Sequence, residues 1–301
     1  PNPPKSVASR QCSPDPHSTR PSPAGTSGTA FTAAPSTVGL VQYNVVFLPG
    51  GNDFVINGAP TTSALAPLKL VTGARELFYK GNDLIGAHLS PVGRAIAADD
   101  VRPGASLWLT AQGSTRNQDN NYRATIFGSN YAYDLGTRQD FFNLQGGVDF
   151  GLSPVAVVGL TAGVGSSVLQ VSGGTGQFNY KSFNVGAYGR FDAGMVFGNA
   201  LVRYERYRIG VQSINGGYFL NTRGHAYGAR GELGLRLGSG NITFEPLVSL
   251  DYARVKLDGF NALGTTFNFG EPDGLRGKAG VRFGTVLSDA PSQITLYGRA
   301  M

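Results

Sequence analysis

The residues able to carry chemistry fall into two unequal groups. His17, His88 and His225 stand far apart in the chain, and no Gly-x-Ser-x-Gly elbow marks a nucleophile for any of them to activate. Cys12 is the single cysteine, so there is neither an intrachain disulfide nor a Cys/His cluster for a metal. Gly173-Gly174-Thr175-Gly176 has the composition of a phosphate cradle, but it leads into a strand pattern rather than a helix N-terminus and reads as a turn. This group gives no enzyme, no metal and no cofactor. The second group is ionic. Arg203 and Glu205, Arg230 and Glu232, Glu245 and Asp251, and Arg276, Lys278 and Arg282 are separated by even numbers of residues. Residues two apart on a strand share a face, so each set lies on one side of its strand, where opposite charges can pair and hold a neighbour.

The elements that position these charges are long alternating segments. Ile242, Phe244, Val248, Leu250 and Tyr252 fall on one face of a strand, with Thr243, Glu245, Ser249 and Asp251 on the other. The same phase separates Leu233 and Leu235 from Arg230, Glu232 and Arg236, and separates Val202 and Tyr204 from Arg203 and Glu205. Nine strands are expected: 106–114, 140–151, 155–171, 181–192, 198–212, 223–237, 241–256, 275–287 and one beginning at Gln293. Most exceed the five or six residues usual in soluble sheets and suit the ~9–11 that cross a bilayer at a tilt. Short turns at 152–154, 194–195 and 238–240 alternate with longer links at 213–222 and 259–273, an asymmetry typical of membrane barrels. An outward Arg at mid-depth would cost about 2–4 kcal/mol, so the charged face points inward. The aromatics Phe141, Phe142, Phe150, Phe178, Tyr180, Tyr204, Tyr207, Tyr252 and Phe283 lie near strand ends and are expected to form interfacial girdles.

Composition agrees with this class. The 301 residues include 44 glycines, and only 15% are charged, well below the roughly 25% of soluble domains. No apolar run approaches the ~20 residues of a spanning helix. The net charge of +6 is spread among acids through the strands, which leaves no stripe for nucleic acid. Residues 1–38 are rich in Pro, Ser and Thr and are expected to be disordered. Residues 41–48 and 53–56 read as a hairpin around a turn at 49–52. Between Ser63 and Leu89, Leu65, Leu68, Val71, Leu77, Phe78, Leu84, Ile85 and Leu89 recur at helical spacing, although Gly73 and Gly81 weaken that pattern.

This order of segments resembles the C-terminal part of a type V secretion autotransporter. The resemblance rests on 39–43 with 53–56, on Ala74-Arg75-Glu76-Leu77-Phe78 in the helix, and on Leu107-Trp108, Asn143–Asp149 and Val185–Tyr188 in the strands. Gly231–Gly234, Phe244-Glu245-Pro246, Leu250-Asp251-Tyr252 and Leu257–Phe260 continue it. It implies an all-β, antiparallel transmembrane β-barrel of twelve strands, eight or nine of them present here, preceded by a linker α-helix threaded through the lumen. The implied division is a leader at 1–38, the end of a passenger at 39–62, a linker helix and lead-in at 63–104 and the barrel at 105–301.

The implied function is export and anchoring of the chain's own N-terminal passenger from the bacterial outer membrane. The implied partners are outer-membrane lipid, the passenger, the linker helix and the barrel-assembly machinery, with no cofactor. Arg75 and Glu76 are expected partners for the lumen wall. Some members of the family cut the passenger free at a linker Asn with the help of lumen carboxylates. Asn82 occupies the matching region, and Glu205, Glu232, Glu245 and Asp251 are the candidate carboxylates. The expected chain is cut short at both ends. A porin-like channel and a soluble β-rich adhesin or binding module are the rival readings.

Overall fold

Alternation of period two builds one large sheet, and the stretch of helical period lies inside its curl. The computed structural model describes residues 36–48, 53–90, 104–126, 129–174, 176–213, 217–239, 242–286 and 295–300. The chain opens with β1 (Ser36–Val38), β2 (Val41–Leu48) and β3 (Asp53–Pro60), a three-stranded antiparallel sheet. Most of the 1–38 segment and the 49–52 turn lie outside the described residues, but Ser36–Val38, expected to be disordered, form β1.

Thr61 starts the helical segment, its Oγ1 accepting from Ala64 N at 3.2 Å while its own N donates to Leu40 O at 2.9 Å. That side-chain oxygen satisfies one of the orphan donors of a helix start. A short turn of helix, α1 (Thr62–Leu65), runs through a 3₁₀ turn holding Pro67 into α2 (Lys69–Leu89). Thirteen of the 21 residues of α2 are buried, around nearly its whole circumference. Such a helix is enclosed rather than laid on a surface.

The large sheet is an antiparallel meander: β4 (Gly104–Gln118), β7 (Thr137–Ser153), β8 (Ala156–Val171), β9 (Gly176–Ala193), β10 (Val196–Ser213), β11 (Tyr218–Leu235), β13 (Ile242–Leu257), β16 (Asp273–Val286) and β17 (Thr295–Ala300), each paired with the next. All nine expected strands are present, and eight of them span 14–18 residues. The sheet curls around α2. Among the described residues β4 and β17 do not pair with each other. β12 (Leu237–Ser239) continues β11 after an interruption. The interrupted ladder lies beside Glu245 and Pro246, and proline has no N–H to donate to it.

Two hairpins were not visible in the alternation. β5 (Asn121–Ile126) with β6 (Ser129–Asp134), and β14 (Phe260–Ala262) with β15 (Thr265–Phe267), extend the links at one end of the sheet. The expected long link at 213–222 is instead short, because β11 begins at Tyr218. Of the expected turn at 238–240, 238 and 239 are strand, and Gly240 lies outside the described residues. Tight turns occupy the opposite end, one of them using Gly194 at φ +76°. Leu70 lies near the hairpin end, beside Tyr180, and His88 lies near the tight-turn end, beside Asp149.

Candidate functional site: a charged concavity around one helix

Burial is inverted along the long strands. On the face toward α2 the side chains of Arg203, Glu205, Arg230, Glu232, Glu245, Asp251 and Arg282 are buried. On the opposite face Leu160, Val202, Leu233, Val248, Leu250 and Leu275 are exposed, and Leu107 reaches 87%. A contiguous apolar surface of this extent is a liability in water. It is what a barrel presents to lipid.

Strand register orders the charges. Arg230 lies opposite Asp251, and Asp251 opposite Arg276, across three neighbouring strands. Glu232, Ser249 and Lys278 form the next row, and Glu245 lies opposite Arg282. The rows connect into one network. Arg230 reaches Glu232 at 2.9 Å and Asp251 at 3.4 Å, and Arg276 reaches Asp251 at 3.0 Å. Arg282 joins Glu232 to Glu245, the latter at 3.2 Å, and Arg236 extends the network from Glu245 to Asp192 at 2.9 Å each. Arg203 pairs with Glu205 at 2.8 Å on β10. Arg276 and Lys278, half-buried, lie on the same side of the sheet as the seven buried charges.

The helix completes the network through Asp83. Its carboxylate receives Lys278 Nζ at 2.7 Å, Arg230 Nη1 at 2.8 Å and Arg276 Nη2 at 2.9 Å. Asn82 Nδ2 donates to Asp251 Oδ1 at 3.2 Å. Glycines let the wall come this close. A Cβ on Gly81 would collide with the Arg203 guanidinium, and one on Gly86 would lie 2.9 Å from Arg230 Nε. Gly73 lies as close to the Tyr180 hydroxyl, so both glycines that weaken the helical pattern in the sequence are on the contact face of α2. Arg75 donates to Asp273 O at 3.4 Å, and Glu76 pairs with Arg116.

Three further groups escaped sequence reasoning. Asp83 was not singled out. Tyr180 and Tyr207 were read as girdle residues, yet with Phe141 and Phe178 they are buried against α2. Phe142, Phe150, Tyr204, Tyr252 and Phe283 are exposed on the outer face. The third group ties down the helix end. His88 Nε2 lies 3.2 Å from Asp149 Oδ2, and its ring stacks on Trp108 at 4.1 Å. Tyr188 donates to the same carboxylate and accepts from Trp108 Nε1 at 2.7 Å. The inward phase of β7, through Gln145 and Gly147 to Asp149, was the available signal. His225 stands apart, stacked on Tyr204.

An enclosed helix, a charged inner wall and an oily outer wall describe a membrane barrel occupied by part of its own chain. The profile of the family described as "Autotransporter beta-domain" matches residues 107–301, the greater part of the sequence. The chain belongs to the autotransporter β-domain family. Among solved structures, the β domain of the Bordetella autotransporter BrkA is similar at 20% identity and a TM-score of 0.52, covering 65% of this chain and 76% of that one. At that identity the likeness is one of fold. The translocator domain of the autotransporter NalP from Neisseria meningitidis is similar at 18% identity and a TM-score of 0.47, covering 76% of this chain and 74% of that one. No curated protein matches the chain.

This autotransporter barrel is an outer-membrane translocator. Its family is one of transport barrels. No helix among the described residues is long and apolar enough to cross a membrane, whereas the strands have both the length and the outer face to do so.

Proposed function

We propose that this barrel exports its own passenger through the lumen and afterwards keeps α2 there as anchor and plug. Residues 39–62 are then the end of the passenger, 63–104 the linker helix and lead-in, and 105–301 the barrel that grips it, with 1–38 a leader ahead of them. The nine inner-face charges line the passage and hold the linker. The observation that carries this reading is Asp83, a helix carboxylate held by three cations from two wall strands. A diffusion channel has no use for such a clasp. The partners are outer-membrane lipid, the passenger, the linker helix and the barrel-assembly machinery. The location is the bacterial outer membrane, with the passenger at the surface or released.

The test uses the full-length protein in outer-membrane vesicles and planar bilayers. Added protease should remove the passenger from intact cells, and deleting residues 63–89 should raise single-channel conductance. A passenger that stays protected in intact cells, or a conductance indifferent to the deletion, overturns the reading.

A second reading, cleavage at Asn82, is favoured by the hydrogen bond from its side-chain amide to Asp251. Asn82 Nδ2 would attack its own backbone carbonyl and lose a proton to Asp251. The peptide bond to Asp83 would break, leaving a succinimide while the departing amine takes up a proton. Mass spectrometry of the membrane fraction would then find a barrel beginning at Asp83. An intact linker in the native protein sinks this idea and leaves the export reading in place.

A further inference from the structure

Beyond Asp149, which meets His88, the wall formed by β7–β10 holds α2 by a set of contacts that do not depend on helix side chains. Tyr180 Oη donates to Leu70 O at 3.0 Å and Tyr207 Oη to Ala74 O at 3.1 Å, and Arg203 Nη2 donates to Phe78 O. These carbonyls recur every four residues, along one line of the helix. Gln139 Nε2 adds a bond to Gly73 O at 3.0 Å. A helical carbonyl has a second lone pair beyond its intrahelical bond, so any sequence lying there would offer these donors the same acceptors. Asn143, Gln145 and Asn184 continue this wall, with at most 2% exposure. Neither amide atom of Gln145 or Asn184 has a hydrogen-bond partner among the described residues, nor does Asn143 Oδ1. Register sets Gln145 opposite Gly163, and Gly163 opposite Asn184. Asn143 Oδ1 and Leu77 Cδ1 both crowd the space above Gly165, at 2.8 and 3.3 Å from where its Cβ would lie. Asn143 thus faces the helix.

Buried polar groups in folded proteins are nearly always paired, with protein or with water, so amides without a protein partner in a lumen are open to a peptide group that passes over them. An amide side chain offers one donor group and one acceptor, the same pair that an extended peptide backbone presents. We propose that the β7–β10 wall is a sequence-independent track that binds the main chain of the passenger as it passes. This inference rests on the export reading and assigns the residues that would grip the chain in transit, through its peptide groups rather than its side chains. The opposite wall is less suited to this work, because its charges pair mainly with one another and with Asp83, although Arg276 also reaches a helix carbonyl, Tyr79 O at 3.4 Å.

The test follows surface arrival of the passenger by pulse labelling and external protease in the full-length protein. It compares native protein with N143L/Q145M/N184L, and heat-modifiable gel mobility reports barrel folding. Arrival should slow about threefold to tenfold at unchanged mobility, the effect of losing one or two net hydrogen bonds. Unchanged arrival with a folded barrel overturns the track. If the triple variant does not fold, a photoreactive residue at Gln145 alone is used with a passenger stalled by a folded insert. Crosslinks spread over many passenger positions support the track, and crosslinks absent or confined to one sequence overturn it. A native protein that brings no passenger to the surface would instead overturn the export reading itself.

Discussion

The two walls that enclose α2 hold it by different chemistry. β11, β13 and β16 present a grid of alternating charges, and this grid addresses chiefly the side chains of Asp83 and Asn82, with one bond from Arg276 to Tyr79 O. β7–β10 present chiefly hydroxyls, amides and one guanidinium, and these address main-chain carbonyls, with Asp149 meeting the His88 side chain at the helix end. Ion pairing in a buried grid demands a charge of the right sign at the right place. Carbonyl recognition demands only a peptide. One wall is therefore suited to recognising the segment that must stop in the lumen, and the other to tolerating everything that precedes it.

The largest effect that would separate the walls comes from removing the hub of the grid. The Arg230 side chain is 1% exposed and touches Asp83, Asp251 and Glu232. Breaking a buried pair by deleting one partner costs about 3–5 kcal/mol. Arg276 and Arg282 still face the carboxylates left behind, which puts Arg230→Met near about 3 kcal/mol. Tyr207→Phe on the other wall loses one neutral hydrogen bond, about 1 kcal/mol. Heat-modifiable mobility measured against denaturant should rank them in that order. Equal shifts would show that the grid holds the helix no more tightly than the carbonyl donors do.

Asp83→Asn makes the same contrast from the helix side. The variant removes the negative charge that three cations share but leaves every wall residue in place, so the barrel should stay assembled while the helix loosens. The readout is conductance in planar bilayers: more frequent opening than native, with unchanged gel mobility. Closed channels would mean that the carbonyl donors suffice to keep the plug seated.

Much of this was legible in the sequence, for a physical reason. Strand periodicity fixes faces without any knowledge of partners, so Arg230, Glu232, Asp251 and Arg282 could be assigned to one side before any pairing was known. Register cannot be read that way. Whether Arg230 meets Asp251 depends on turn lengths, and the turn placed at 238–240 was misplaced because strand pairing resumes at Leu237 past Pro246. Tyr180 and Tyr207 were misread for another reason. An aromatic near a strand end suits a lipid interface or a plugged lumen equally well, and only its phase against the neighbouring strand decides. Asp83 carried no strand pattern at all, being one acid on a helix.

Gly81→Ala tests the close approach that both walls need. Alanine is favoured over glycine by about 1 kcal/mol in an exposed helix, so on propensity alone the substitution stabilises. Here the new methyl would strike the Arg203 guanidinium, which is bonded to Phe78 O and Glu205. Overpacking at a buried site costs about 1–3 kcal/mol and should win, with a net loss of about 1 kcal/mol in barrel stability. A stabilised barrel would show that Arg203 swings aside freely and that the contact face of α2 is loose.

The smallest effect separates charge from burial. Outside the lumen, Glu271 meets Lys256 at 2.6 Å and Arg254 at 3.0 Å, all of them substantially exposed. The residue types match those of the inner grid, but water screens them. The hydrogen bond and charge of Lys256, helped by Arg254, hold the Glu271 carboxyl below its ordinary range. A carboxyl whose pKa falls on folding stabilises the fold above its unfolded pKa, and that contribution disappears as pH falls through the depressed value. Protease cutting within 258–272 should therefore rise modestly on acidification in the native protein. Glu271→Gln should cut slightly faster at neutral pH and lose that acid dependence, with no change in the gel mobility of the barrel. If this exposed pair proved as costly to break as Arg230, burial would not be what gives the inner grid its strength, and the contrast between the two walls would have to rest on geometry alone.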